Sequence, residues 1–107
     1  MLTRSRPANI KTDLTIKGQN GDNVTFGVTY RNLTGKEFDE AVNIDGKDKE
    51  RQTYDFANAV LAIVESWDAE YELTREGVTE AESDRAGILI AVIQGFHNAR
   101  RVELVGN

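Results

Sequence analysis

Two segments near the start of the chain alternate between a mainly apolar face and a polar face. The alternation runs from Ile10 to Ile16 and again from Val24 to Tyr30, and a period of two residues is typical of strands with one buried face. The residues on the apolar faces are Ile10, Thr12, Leu14 and Ile16, then Val24, Phe26, Val28 and Tyr30. Residues 18–23 between them are of types that favour turns. The pattern predicts an antiparallel β-hairpin over residues 8–31, preceded by a loose arm over residues 1–7.

Residues 34–107 are predicted to be mainly helical, and capping signals divide them. Thr34 and Glu37 have the spacing of a capping box, so a first helix is expected over residues 36–42. Residues 43–52 are almost all polar and are predicted to form a flexible loop. Thr53 is expected to cap a second helix. The apolar positions of that helix recur at helical spacing as Phe56, Val60, Ile63, Val64 and Trp67.

Two further helical segments are predicted after Trp67. Thr74 is expected to cap a short helical turn over residues 75–81, and Ser83 to cap a last helix over residues 84–104. Arg100 and Arg101 then fall in the final turns, where positive charge suits the helix dipole. The apolar residues of the last helix are Ile88, Leu89, Val92, Ile93 and Phe96.

These elements together predict an α+β fold with an N-terminal antiparallel β-hairpin packed on a mainly helical C-terminal part. A lone hairpin is marginally stable in water, so its apolar face requires cover from the helices or from another copy of the chain. The length of 107 residues suits a single domain.

Charge and composition narrow the range of functions. The chain has no cysteine and a formal net charge of −5, which argues against binding to nucleic acid through phosphates. Acidic residues concentrate at Glu65, Asp68, Glu70, Glu72, Glu76, Glu80, Glu82 and Asp84, offset there by Arg75. This run favours a basic partner or serves as a solvated face. The longest apolar run, residues 86–93, is far too short to cross a membrane. A chain without cysteine suits a reducing compartment such as the cytoplasm.

The reactive residues of the chain form no recognisable catalytic or metal-binding set. His97 is the only histidine, and a histidine metal site needs further ligands. Glu65 and Asp68 have a spacing that is common on protein surfaces, with no sign of an apolar pocket to separate their pKa values. Residues 20–23 and 45–48 do not match a calcium-binding loop. We therefore expect a protein without catalytic residues, metal or cofactor, and Trp67 is either a core residue or an interface anchor.

The C-terminal part carries an ordered series of features that identifies a relationship. The series consists of Trp67-Asp68, an acidic connector, Thr74 with Glu76 opening a helix, a helix rich in Ile, Val and Ala ending near His97, and Gly106-Asn107. In this order and spacing, residues 62–107 resemble the C-terminal half of phage tail assembly chaperones. The resemblance implies a phage or prophage protein that binds the tape measure protein in the bacterial host cytoplasm and helps to recruit tail tube protein.

The expected function is accordingly a non-catalytic chaperone that binds another protein through its helical half. The expected contact residues are Trp67, Asp68, Tyr71, Leu89, Ile93 and Phe96. The alternative is a structural tail or connector subunit that self-associates into rings through the hairpin edge. A small hydrolase that uses Glu65, Asp68 or His97 is the third hypothesis.

Overall fold

The computed structural model describes residues 1–106, which form one three-stranded sheet and four helices. The strands are β1 (Asn9–Lys17), β2 (Asn23–Arg31) and β3 (Val64–Trp67). The helices are α1 (Gly35–Ala41), α2 (Lys49–Ile63), α3 (Arg75–Asp84) and α4 (Ile88–Ala99). The strands lie in the order β1-β2-β3 and both pairings are antiparallel. The predicted α+β class is confirmed.

The predicted hairpin is confirmed in its position. Strands β1 and β2 pair from Asn9 opposite Arg31 to Lys17 opposite Asn23. The turn is closed by a hydrogen bond from the Gly18 N–H to the Asp22 carbonyl at 2.7 Å, and Gly21 supplies a φ of +89° that other residues rarely adopt. Alternate residues of β1 are half-buried, so the hairpin has one face against the core.

The core lies between the inner face of the sheet and the helices. Its fully buried large side chains are Val28, Tyr30, Val60, Ile63, Val78, Leu89, Val92 and Phe96. The buried Tyr30 hydroxyl donates a 2.7 Å hydrogen bond to the Val92 carbonyl, which joins β2 to α4. A Cβ atom added at Gly95 would lie 2.6 Å from Leu14 Cδ2. Helix α4 therefore approaches the sheet as closely as its backbone allows.

The predicted second helix is wrong at both ends. Helix α2 begins at Lys49 with Asp48 as its N-cap, so Thr53 lies within it. At the other end the helix stops at Ile63, and Val64–Trp67 forms β3 against β2. The Arg31 guanidinium donates to the carbonyls of Leu61 and Ala62, each at 3.0 Å, which satisfies the free carbonyls at the helix end. The residues after Ile63 form a strand because their backbone groups hydrogen-bond to the open edge of β2.

The predicted flexible loop is wrong for residues 49–52, which are the first turn of α2. The preceding residues are held by Asp55, a carboxylate only 4% exposed. It accepts hydrogen bonds from the N–H groups of Asp45 and Gly46 at 3.2 and 2.9 Å. It also pairs with Arg51 at 3.5 Å. A buried carboxylate is stable when it is satisfied in this way.

The predicted last helix, residues 84–104, is wrong in both its start and its end. The Thr74 cap is confirmed, but α3 continues past Ser83 to Asp84. Helix α4 begins after Gly87, whose φ of +97° breaks the chain direction. The Glu82 carboxylate accepts from the N–H groups of Gly87 and Leu89 at 2.8 and 3.1 Å. Because α4 ends at Ala99, Arg100 and Arg101 lie at and beyond its end.

The predicted capping box at α1 is confirmed. The Thr34 hydroxyl accepts from the Glu37 N–H at 3.1 Å, and the Glu37 carboxylate accepts from the Thr34 N–H at 2.8 Å. This second hydrogen bond is the main cause that lowers the pKa of the Glu37 carboxyl. The contribution of the Glu37 carboxylate to stability is therefore fully present at pH values above the pKa that Glu37 has in the unfolded chain. It is lost as the pH falls through the lower pKa that Glu37 has in the folded protein.

We predict that Glu37→Gln makes the protein less stable than wild type at neutral pH, and that the difference disappears in acid. Glutamine keeps an acceptor in the capping box but loses the carboxylate charge near the helix N-terminus. Urea unfolding of both proteins from neutral pH to below the ordinary glutamate pKa of about 4.3 measures this. Lys36→Gln is the control, because lysine does not titrate in that range. An equal pH dependence in wild type and Glu37→Gln would contradict the prediction.

Candidate protein-binding groove

One concave surface of the described residues is an open groove of about 760 Å³. It lies between the distal half of the hairpin on one side and the connector, residues 68–74, with α3 on the other. The apolar residues that line it are Ile16, Val24, Phe26, Trp67, Ala69, Tyr71, Ala81 and Ile88. They come from β1, β2, β3, the connector, α3 and α4, so the groove exists only in the folded chain.

Acidic side chains dominate the polar lining of this groove. Six carboxylates line it: Asp68, Glu70, Glu72, Glu76, Glu80 and Asp84. The only cationic side chain among the lining residues is Arg85. Negative charges close together make the local electrostatic potential more negative and attract cations. The groove therefore combines an apolar floor with a strongly negative rim, and we refer to it as the acidic groove.

Trp67 occupies the junction between the sheet and the connector. Its half-buried indole packs against the Phe26 ring with centroids 6.5 Å apart and planes at 72°. The indole Nε1 donates a 2.8 Å hydrogen bond to the Tyr71 carbonyl. The Asp68 N–H donates to the Gly27 carbonyl at 2.8 Å, which continues the β2–β3 ladder by one residue. These bonds fix the indole in the groove wall.

Tyr71 ties the connector to the end of α3. Its hydroxyl donates a 2.9 Å hydrogen bond to the Asp84 carboxylate. That hydrogen bond, together with desolvation, raises the pKa of the Tyr71 phenol. The phenol therefore remains a neutral donor at physiological pH. This contact holds the connector across the open side of α3.

Gly77 allows the connector to cross directly over the first turn of α3. A Cβ atom at this position would collide with the backbone carbonyl of Glu72. Gly77 is buried, and its N–H donates to the Thr74 hydroxyl at 3.0 Å. The glycine thus sets how close the connector lies to the helix.

The structure brings together three of the six predicted contact residues. Trp67, Asp68 and Tyr71 line the acidic groove. Leu89 and Phe96 are both fully buried in the core, so neither presents surface to a partner. Ile93 is half-buried and packs against the core cluster. The spacing of apolar residues on α4 indicated burial, and an all-round apolar helix is typically a core helix.

The groove also contains residues that the sequence reasoning did not assign. Ile16 and Phe26 belong to the hairpin, and Ile88 to the start of α4. Their alternation and helical spacing indicated an inward face but not a shared cavity. Glu76 and Glu80 were visible as part of the acidic run, and their spacing of four residues on α3 places them on one side of the helix.

The residues considered for catalysis are dispersed. Glu65 forms an ion pair with Arg31 at 3.1 Å, whereas Asp68 lines the groove. His97 contacts the Phe38 ring at 4.7 Å and the Phe96 ring at 5.5 Å between centroids. Within residues 1–106, no three His, Asp or Glu side chains lie close enough to hold a metal ion. The same part of the chain contains no helix that is both long and apolar enough to span a membrane.

The described residues thus form a small α+β protein with an open groove that carries apolar and acidic side chains. In a comparison with protein families, the family described as phage tail assembly chaperone matches residues 2–107. The chain belongs to the phage tail assembly chaperone family. The resemblance predicted for residues 62–107 is therefore confirmed and extends over the hairpin as well. Searches of curated proteins and of solved structures gave no match.

Proposed function

We propose that this chaperone of phage tail assembly binds the tape measure protein in the acidic groove, in the host cytoplasm and without catalysing a reaction. The observation that supports this is the union of an apolar floor and six carboxylates in one open groove. An amphipathic helix binds such a groove by laying its apolar face on the floor. Lysine and arginine residues beside that face then meet the acidic rim.

The residues of the groove have different roles in this proposal. Trp67 and Phe26 form the apolar contact, since aromatic side chains in the centre of an interface supply much of the binding energy. Asp68 and the glutamates of α3 steer the client and set its orientation. Tyr71 positions the connector through Asp84. Leu89, Ile93 and Phe96 act through the core by supporting the sheet beneath the groove.

This arrangement suits a chaperone that later releases its client. Exposed charge pairs contribute little each, about 0.2–1 kcal/mol, and they weaken with salt. The interaction therefore forms rapidly and separates when a stronger partner competes. In tail assembly we propose that the competing partner is the tail tube protein, which replaces the chaperone on the tape measure.

We predict that Glu72→Lys/Glu80→Lys weakens binding of the tape measure protein by about tenfold or more, which is 1.4 kcal/mol or more. Both side chains are exposed and neither forms a side-chain hydrogen bond among the described contacts, so the fold is retained. The measurement is the amount of tape measure protein that stays soluble on co-expression, followed by the affinity of the purified pair at two salt concentrations.

The control is Asp39→Lys/Glu40→Lys, which makes the same change of charge on α1, outside the groove. We expect this control to solubilise the client as wild type does. If the groove variant solubilises the client as well as the control, the acidic groove is not the binding site.

A structural tail subunit is the second candidate function. Strand β1 lies at the edge of the sheet and is nine residues long, and an edge strand offers hydrogen-bonding groups to another copy. Such a subunit would self-associate into rings and persist in the finished tail. Mass spectrometry of purified phage particles separates the two functions, because a chaperone is absent from them.

A further inference from the structure

The segment that follows α4 exposes apolar side chains almost completely. Val102, Leu104 and Val105 are 97%, 98% and 92% exposed. Arg100 and Arg101 precede them and are exposed as well. Apolar surface in water costs roughly 25 cal/mol per Å². This segment, residues 100–105, therefore gains free energy from any surface that covers it.

The acidic groove has the chemistry that this segment requires. Its rim carries six carboxylates and its floor is apolar, whereas the segment begins with two guanidinium groups, continues with Val102, Glu103, Leu104 and Val105, and keeps a net positive charge. Arginine forms strong charge-assisted hydrogen bonds with carboxylates. We propose that the acidic groove of one copy binds residues 100–105 of a second copy of this chain.

The geometry of α4 directs this contact to a second copy. The groove reaches Ile88 at the start of α4, and the segment leaves the other end after Ala99, across a helix of 12 residues or about 18 Å. An extended chain covers about 3.3 Å per residue. Residues 100–104 are consumed in running back along the helix, so Val102 and Leu104 do not reach the groove of their own copy.

The contact is heterologous, because the groove and the segment are different surfaces of one chain. Repetition of such a contact produces open chains or closed rings. The inference rests on the same groove as the proposed function and adds a second occupant to it. The segment covers the groove of its neighbour until a client with more apolar and basic surface displaces it.

The first test is a titration of the full chain with a peptide of residues 99–106. Trp67 is the only tryptophan of the chain, it lines the groove, and the peptide contains no aromatic residue. We expect a saturable change in Trp67 fluorescence that weakens with salt. A peptide with both arginines replaced by glutamate is the control, and we expect its affinity to be lower by at least about tenfold. No change, or equal binding of both peptides, would overturn the inference.

The second test is a charge exchange between two full-length variants. In sedimentation velocity, the average mass of the wild-type species should increase with protein concentration. The average mass should stay smaller for each variant alone, that is, for Arg100→Glu/Arg101→Glu and for Glu72→Lys/Glu80→Lys. A mixture of the two should associate again, because the glutamates of one meet the lysines of the other. A wild type that stays monomeric at every concentration, or a mixture that does not associate, would overturn the inference.

These outcomes separate the inference from the proposed function. The peptide titration and the sedimentation use no client protein. Loss of peptide binding with intact solubilisation of the tape measure protein overturns the inference alone. Intact peptide binding with no effect of groove variants on the tape measure protein overturns the proposed function alone.

Discussion

Replacing Phe96 with alanine is expected to lower the free energy of unfolding by about 3–5 kcal/mol. Phe96 is fully buried. Its ring stacks on Phe38 at 5.1 Å and meets Tyr30 edge to face at 5.7 Å. The substitution removes both contacts and leaves a cavity that the surrounding sheet and helices cannot fill, because α4 already lies against the sheet at Gly95. Chemical unfolding with fluorescence or circular dichroism measures the change.

Ile90→Ala is the matched control on the same helix. Ile90 is 43% exposed, and substitutions at such positions usually change stability by less than about 1 kcal/mol. The Phe96 variant also distinguishes a core residue from a contact residue. Its folded fraction should bind the client with the affinity of wild type. A folded Phe96→Ala protein that has lost client binding would show that the side chain contacts the partner.

Gly77→Ala is expected to destabilise the protein by about 1–3 kcal/mol, the range for an overpacked site. Within a helix this exchange ordinarily stabilises, since glycine is about 1 kcal/mol less favourable than alanine. Here the added methyl group collides with the Glu72 carbonyl, so the connector must move away from α3. We expect the unfolding free energy to fall and the Trp67 emission of the native state to change with it.

Gly35→Ala tests whether the effect comes from the collision. Gly35 is the first residue of α1, and a Cβ atom there would meet nothing within 4 Å. The substitution should be neutral or stabilise by about 0.4–1 kcal/mol, because alanine restricts the unfolded chain. Equal destabilisation by both substitutions would exclude the backbone contact at Glu72 as the cause.

Local signals in the sequence were sufficient for the hairpin and for two helix starts. The alternation of β1 and β2 depends only on neighbouring residues, and the caps at Thr34 and Thr74 bond within their own turns. Strand β3 depends on a distant partner. Val64 and Trp67 continue the helical spacing of α2, and the open edge of β2 overrides that periodicity once the chain is folded.

The break between α3 and α4 illustrates the same limit. Gly87 lies in an apolar run that fits one long helix, and a single glycine is tolerated within a helix. The positive φ of Gly87 and its hydrogen bond to Glu82 result from the packing of two short helices against the sheet. Neighbouring residues in the sequence do not encode that choice.

The candidate site was predictable where its residues are close in sequence. Trp67, Asp68 and Tyr71 lie within one turn of the chain and share the groove. Phe26 and Ile88 join them only through the pairing of β2 with β3 and the packing of α4. Leu89 and Phe96 satisfied the same apolar criterion as Trp67, and only the three-dimensional packing distinguishes a core side chain from a groove side chain.

The short length of β3 has a consequence for the shape of the acidic groove. Within residues 1–106, β3 pairs with β2 only from Val28 to Tyr30, so the hairpin beyond Gly27 is a ribbon of two strands. Two-stranded ribbons twist more strongly than wider sheets. The wall of the acidic groove that carries Val24 and Phe26 is therefore a twisted two-stranded ribbon, and the opposite wall is helix α3. For the client helix that we propose, the twist of this ribbon sets the angle at which the helix crosses the groove.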